Sequence, residues 1–262
     1  MQRIATDRAV SRNYSPWRRL LTLICVSIAL GGCATRQGWQ LTEGQHARKH
    51  EREISKTVRS NFLLFLPKGV AEDPQRRWPL IVFLHGAGER GDDLEKLKAY
   101  GPPKLVESDP TFPFIVVSPQ VPFDPAFMPD AFPALLDDIV RELPVDEDRI
   151  YLTGVSMGGF ATWAWAMVEP WRFAAIAPIA SGWEHLEDAC KLKDIPIWAF
   201  HGAKDGAVPI DLDQKMVDAV KACGGNIRFT IYPDAEHDSW TQTYNNSELF
   251  DWFLRHRRRH AD

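Results

Sequence analysis

The sequence predicts an α/β fold: a mostly parallel central sheet with helices on both faces and no large lid domain. Three observations predict it. Short apolar runs alternate with helix-patterned segments from Ile54 to the C-terminus, the pattern of strands joined by crossover helices. Several runs are apolar at nearly every position, as in strands covered on both faces, where half-exposed strands alternate. The connection from Ile179 to Pro196 is too short to form a lid. The 262 residues suit one such domain and are short for two.

Taken in order, Val58–Leu66 is the first expected strand, stopped by Pro67-Lys68-Gly69. Trp78–Leu84 is apolar throughout and reads as a buried strand. Phe114–Ser118, Ile150–Thr153, Phe173–Ile179, Ile197–Phe200 and Ile227–Tyr232 read the same way. Between them, Ala131–Leu143 places Ala134, Leu135, Ile139 and Leu143 at helical spacing, and Met157–Val168, Leu212–Ala222 and Ser247–Arg257 complete the helices. Trp163, Trp165 and Trp252 fall on these helices and are expected in the core. The basic end, Arg255, Arg257, Arg258 and Arg259, is expected to be a solvated helix terminus favoured by the helix dipole.

The first 53 residues do not follow this pattern. Arg3, Arg8, Arg12, Arg18 and Arg19 precede the apolar run Leu20–Leu30, and small residues follow it. A basic start, a short apolar core and a small-residue exit form a secretory signal, and the run is about half the ~20 residues that cross a bilayer. Residues 1–32 are therefore expected to be a signal peptide, and 33–53 a polar tether to a domain over 54–262. The exit Leu30-Gly31-Gly32-Cys33 resembles a bacterial lipoprotein box. That resemblance implies cleavage before Cys33, acylation of Cys33, and anchoring in the cell envelope, with the outer membrane or periplasm-facing side favoured by Ala34 after the cysteine. The competing reading is an ordinary cleaved signal with an incidental cysteine.

Composition excludes several classes. With 45% hydrophobic and 25% charged residues, the chain is neither disordered, collagen-like nor a multi-span membrane protein. The net charge of −4 becomes about −8 once residues 1–32 are removed, which argues against a nucleic-acid partner. No metal-ligand motif of the usual spacing occurs. Of the four cysteines, Cys25 leaves with the signal and Cys33 takes lipid. Cys190 and Cys223 remain, as a disulfide in an oxidising compartment or as two buried thiols.

The chemistry centres on Gly154-Val155-Ser156-Met157-Gly158, which follows a strand and opens a helix. In that context G-x-S-x-G is a tight turn that lifts a serine hydroxyl off the end of the sheet at the positive end of a helix. A serine needs a base to act as a nucleophile. His46 and His50 lie in the tether, and His256 and His260 in the basic tail. His237, just after the last strand, is the expected base; His85 and His201 each end a strand and are expected to be structural, and His185 lies near a neighbouring strand end. Asp205 follows a strand and falls between Ser156 and His237, so it is the expected acid. Asp234 and Asp238 sit too close to His237 in sequence to reach it from another strand and are expected in solvent. The glycine-rich turn His85-Gly86-Ala87-Gly88-Glu89-Arg90-Gly91 suits an oxyanion hole, with Ala87 or Gly88 and Met157 supplying amides and Glu89 paired with Arg90. Trp183 and Trp240 lie beside strand ends, either stacking on a substrate or packing under the loops.

The run Leu84–Gly91, with Gly154–Gly159, His201–Pro209 and His237–Trp240, resembles the α/β-hydrolase superfamily from about Ser55 to the C-terminus. It is similar to the branch of phospholipase/carboxylesterases, polyhydroxybutyrate-depolymerase-like esterases and "predicted peptidases". The chain departs from that pattern at Glu236, where a glycine is frequent, and after Gln120, where Phe123, Phe127 and Met128 replace a frequent tryptophan. The resemblance implies an α/β-hydrolase fold and a serine esterase of the envelope that uses a Ser-His-Asp triad, no cofactor and an ester substrate. It leaves the oligomeric state open. A peptidase acting on short peptides and a non-catalytic envelope binding protein are the rival expectations.

Overall fold

The computed structural model describes Ser55 and residues 57–73, 75–123 and 130–258. The expected signal peptide, Cys33, the tether, Phe127, Met128 and Arg259 lie outside the described residues. Among the described residues seven strands form one sheet: β1 (Asn61–Phe65), β2 (Trp78–Leu84), β3 (Ile115–Gln120), β4 (Val145–Val155), β5 (Ala175–Ile179), β6 (Ile197–Gly202) and β7 (Ile227–Tyr232). Their order is β1-β3-β2-β4-β5-β6-β7, parallel except for β1, which runs antiparallel to β3 from Asn61↔Gln120 to Phe65↔Val116. This is the mostly parallel sheet that the alternation of apolar runs and helical segments predicts, and it is the α/β-hydrolase architecture that the motif resemblance implies.

The period of two along the strands sorts the core. Leu80, Val82 and Leu84 of β2 join one buried cluster, and Ile81 and Phe83 join the other. The first cluster is capped by helices α2 (Ala131–Glu142), α3 (Met157–Val168) and α4 (Ile210–Ala222), through Leu136, Trp163, Met216 and Val217. The second is capped by α5 (Trp240–Tyr244) and α6 (Ser247–Leu254), through Tyr244, Leu249, Phe250 and Phe253, with Leu105 and Val106 of α1 (Gly101–Val106) packed against its edge. Each such side chain contributes about 1.5–3 kcal/mol by leaving water, so two-faced burial of the central strands is the main source of stability. Trp163 and Trp165 are buried and Trp252 is partly buried, as expected of helix-borne tryptophans.

Three local expectations change. The strand expected over Val58–Leu66 is paired only over Asn61–Phe65, the stretch that faces β3. Helices α1 and α5 have six and five residues, too few to show a periodic stripe, and α1 carries Pro102-Pro103 in its first turn, where a missing N–H costs nothing. Helix α6 ends at Leu254 with Arg255 exposed at its C-cap, as expected, but Arg257 and Arg258 lie beyond the helix and are not part of a solvated helix end. They fold back on the start of β4: Arg258 N–H donates to Asp148 O at 2.8 Å, and the Arg257 guanidinium lies 3.3 Å from Asp146. The pairing with two carboxylates outweighs the weak helix-dipole preference.

Cys190 and Cys223 form a disulfide, with Cα atoms 5.2 Å apart. It ties the 3-10 segment Leu186–Leu192 to the end of α4 and closes a loop with a sequence separation of 33. A crosslink of that span restricts the unfolded chain by about 3–4 kcal/mol. We expect Cys190→Ser/Cys223→Ser to lower the melting temperature by about 6–14 °C, measured by calorimetry against the oxidised parent.

Candidate active site

The sheet order reverses between β2 and β4: the chain moves from β2 outward to β3, then returns to build the other half from β4. Ligands of open α/β sheets bind beyond the carboxyl ends of the strands at such a switch point. Here those ends carry the glycine-rich turn after β2 and Ser156 after β4, with Leu84 and Gly154 paired across them.

Ser156 sits between β4 and α3 with φ 51° and ψ −118°, a backbone conformation that L-residues rarely hold. The surroundings impose it: Ser156 N–H donates to Ile179 O at 2.9 Å and Ser156 O accepts from Phe160 N–H at 3.0 Å. The flanking glycines are required by close approach. A Cβ on Gly154 would stand 2.4 Å from Gly158 O, and one on Gly158 2.0 Å from Leu84 O.

The His237 loop reaches Ser156 because it crosses over the end of β6. A Cβ on Gly202 would lie 2.1 Å from Glu236 O, so the crossing depends on glycine at 202. Glu236 itself is exposed and is not among the described residues with positive φ, so a side chain in place of the frequent glycine is accommodated. His237 Nε2 accepts from the Ser156 hydroxyl at 3.0 Å, and His237 Nδ1–H donates to Asp205 Oδ2 at 2.7 Å. Asp205 Oδ1 accepts from the amides of Ala207 and Val208, each at 2.9 Å. Burial pushes the Asp205 carboxyl up, but bonds from His237, Val208 and Ala207 outweigh it and hold it below the usual carboxylate range. Asp234 pairs with Lys204 at the surface, and Asp238 accepts from Thr241, so neither competes for His237.

Ala87–Glu89 forms a 3-10 turn closed by Glu89 N–H to Gly86 O, leaving the amides of Ala87 and Gly88 with no acceptor inside it. Both residues are exposed, and the space in front of Gly88 is open to 4 Å. Met157 N–H is the first amide of α3 and likewise has no acceptor within its helix. The expected Glu89–Arg90 ion pair does not form. Glu89 accepts from the Tyr100 hydroxyl, which in turn accepts from Gly86 N–H at 3.3 Å. Arg90 instead donates to Pro122 O and lies 5.2 Å over the Phe123 ring. Burial raises the Glu89 carboxyl, so a hydroxyl donor suits it better than a charge in the open. Gln120 pins the turn from below by donating to Glu89 O and Asp93 O. Tyr100 carried no motif that marks it from sequence.

The remaining histidines divide by environment. His85 Nδ1–H donates to Gly86 O at 2.5 Å and Nε2 accepts from Val121 N–H at 2.9 Å, which fixes a neutral ring; burial lowers its pKa in agreement. It is structural, as expected. His185 is exposed beside Glu187. His201 is buried beneath Asp205.

Of the two tryptophans expected near the site, Trp240 stands edge-on to His237, with ring centroids 5.1 Å apart, and leans on Tyr100 at 5.4 Å. It thereby connects the histidine loop to the glycine-rich turn. Trp183 is half-buried against the core under its loop, 6.1 Å from the His185 ring. Neither lines the apolar cavity of about 350 Å³ beside Met157, which is walled by Leu84, Val121, Phe132, Ala161 and Trp165. Sequence reasoning missed this cavity; its signal is the small residues Ala161 and Ala164 on one face of α3.

The chain is similar to several known proteins. A solved structure described as a thermostable esterase is 34% identical, covers 75% of this chain and 59% of its own, and superposes with a TM-score of 0.62. A ferulic acid esterase structure, 18% identical, covers 73% of this chain and 89% of its own with a TM-score of 0.57, a likeness of fold. A Salmonella typhimurium protein named "Putative carboxymethylenebutenolidase" is 24% identical over 154 residues, 47% of this chain and 57% of its own length. The chain thus spans a little over half the length of the curated relatives it matches. The phospholipase/carboxylesterase family profile matches residues 112–250, which is more than half of the chain and includes Ser156, Asp205 and His237. On that match, and on a sheet whose strand ends bring those three residues together, the chain belongs to the phospholipase/carboxylesterase family of α/β-hydrolases.

Proposed function

We propose that this protein is a serine esterase of the bacterial cell envelope, hydrolysing carboxylic esters with small acyl or carbohydrate-linked groups. The observation that carries the reading is the continuous bond chain Ser156–His237–Asp205, at 3.0 and 2.7 Å. Family membership and the thermostable esterase at 34% identity support ester chemistry. Ser156 Oγ attacks the ester carbonyl carbon while His237 Nε2 takes its proton. The amides of Met157 and of Ala87 or Gly88 hold the negative oxygen of the tetrahedral intermediate. As the intermediate collapses, the C–O bond to the alcohol breaks and His237 returns the proton to the leaving oxygen. Water, deprotonated by His237, then clears the acyl group from Ser156. Asp205 keeps the imidazole oriented and stabilises its charge throughout. The cavity beside Met157 is apolar and suits the acyl portion. Esters suit the mechanism better than amides, because an alkoxide leaves more readily than an amide anion.

The test is a hydrolysis panel of p-nitrophenyl esters of rising chain length, feruloyl esters, acetylated xylan and short peptides, with Ser156→Ala as control. Ester turnover lost in the variant is expected. Cleavage of peptides with esters untouched would reverse the reading to a peptidase, and folded protein that fails to label with a fluorophosphonate would reverse it to a binding protein.

The envelope placement rests on the basic start, the run Leu20–Leu30 and Leu30-Gly31-Gly32-Cys33, and the Cys190–Cys223 bond suits an oxidising compartment. Cells expressing the full chain should incorporate a palmitate analogue into it, and Cys33→Ala should abolish that label. Equal labelling of the two would remove the anchor.

A further inference from the structure

The bond chain does not stop at Asp205. Asp205 Oδ2, the atom that accepts from His237, is also 3.2 Å from His201 Nε2, and His201 Nδ1 is 2.7 Å from Asp213 Oδ2. The side chains of His201, Asp205 and Asp213 are fully buried. We infer that His201 is a fixed imidazolium, held by Asp213, and that this buried cation positions Asp205 and tunes the basicity of His237. The inference rests on the serine hydrolase reading above.

The acceptors on His201 dictate its charge. Nδ1 faces a carboxylate, and Nε2 faces Val208 O at 3.0 Å and the Asp205 carboxylate. A carbonyl oxygen and an ionised carboxylate cannot donate, so both ring nitrogens must carry protons. Asp213 is held as an acceptor on both oxygens: Oδ1 takes the Trp163 indole N–H at 3.1 Å, and Oδ2 takes Ser181 N–H at 3.3 Å as well as His201. Burial opposes a charge on His201, but the bond and charge of Asp213, the Val208 carbonyl and the charge of Asp205 outweigh it and raise its pKa. An unpaired buried carboxylate would be costly; Asp213 falls in line with Met216, Val217 and Val220 on the buried face of α4, where an apolar residue would otherwise stand.

The consequence falls on His237. A cation 3.2 Å from the oxygen that His237 bonds offsets part of that oxygen's negative potential, so the field that Asp205 exerts on the imidazole is weaker than that of a lone carboxylate. The other charged groups on the packed elements lie in solvent: Lys204 with Asp234, Asp211 on the first turn of α4, Glu184, and Glu236 and Asp238 beside His237. His201 and Asp213 are therefore positioning residues, touching neither Ser156 nor the reacting carbonyl. His201 also ties down the loop that presents Asp205, through Val208 O.

The test is the pH profile of kcat/KM on p-nitrophenyl acetate for the full chain, His201→Gln and His201→Gln/Asp213→Asn. Removing the cation leaves Asp205 and Asp213 as two carboxylates near His237, so the acid limb in His201→Gln is expected to move up by roughly one pH unit. The double variant, which also removes the stranded carboxylate, is expected to shift less. An acid limb at the wild-type pH with only kcat lowered would overturn the proposal, since a packing role lowers activity at every pH alike. If the variants do not fold, nitrogen-15 spectra of the wild-type chain decide. A buried histidine protonated at both nitrogens at pH 8 is expected, and its absence would overturn the proposal. Wild-type chain that neither turns over esters nor labels with a fluorophosphonate would fail the hydrolase reading instead, a result distinct from an unmoved acid limb.

Discussion

Ser156→Ala is expected to lower kcat for ester hydrolysis by about 10⁴–10⁶-fold while leaving KM within a few-fold. The substitution removes the proposed nucleophilic atom and spares the groups proposed to bind substrate: the amides of Met157, Ala87 and Gly88 and the cavity beside Met157. Residual turnover would come from water held near His237 and from the oxyanion amides. The fold should be kept, because Ser156 is held by its backbone, through Ile179 O and Phe160 N–H, and alanine can take over both bonds. Single-turnover kinetics with a chromogenic ester check the result: no burst of released alcohol in the variant, with a melting temperature near that of the parent. A burst of normal amplitude would place the nucleophile elsewhere.

Gly158→Ala is expected to act in the opposite way, on the fold first and the chemistry second. The new Cβ would meet Leu84 O at 2.0 Å, Leu84 C at 2.4 Å and His85 O at 2.7 Å, all backbone of the central strand β2 and its first following residue. No side-chain rotation relieves that contact, so α3 must back away from the sheet. The overpacking should cost about 3 kcal/mol or more and lower the melting temperature by roughly 6–12 °C. Ser156 and Met157 travel with α3 while His237 stays with β7, so kcat should fall by about 10²-fold even in the folded fraction. Thermal melts paired with active-site titration separate the two effects. Gly88→Ala is the stability control, because a Cβ there meets nothing within 4 Å.

The contrast between these glycines shows which parts of the molecule could be read early. Trp78–Leu84, Met157–Val168 and Ile227–Tyr232 have the same bounds in the sequence reading and in the structure. Their signals are local: an apolar run for the strands and a serine turn opening a helix for α3, although Ile227–Tyr232, read as buried like Trp78–Leu84, is a partly exposed strand at the sheet edge. The short helices α1 and α5 left no such signal, because five or six residues do not complete two turns. Tyr100 was invisible for a different reason. Its hydroxyl matters only because the N-cap of α1 is folded next to the glycine-rich turn, where it bridges Gly86 and Glu89 across sequence separations of 14 and 11.

The same division runs through the site. Ser156, Asp205 and His237 could be named from the chain because each follows a strand within a few residues, and the strand ends of an open α/β sheet converge on one edge. Chain order then separated His237 from its rivals. What chain order could not supply is the pairing of groups far apart in sequence. That His201 lies against both Asp205 and Asp213, and that Glu89 turns from Arg90 to Tyr100, follow from the order of strands in the sheet and the packing of α4 and α1 against it. Burial sets the energies: in water those carboxylates and imidazoles would be separate solvated ions, and inside the fold each must find an acceptor or donor, so the packing chooses their partners.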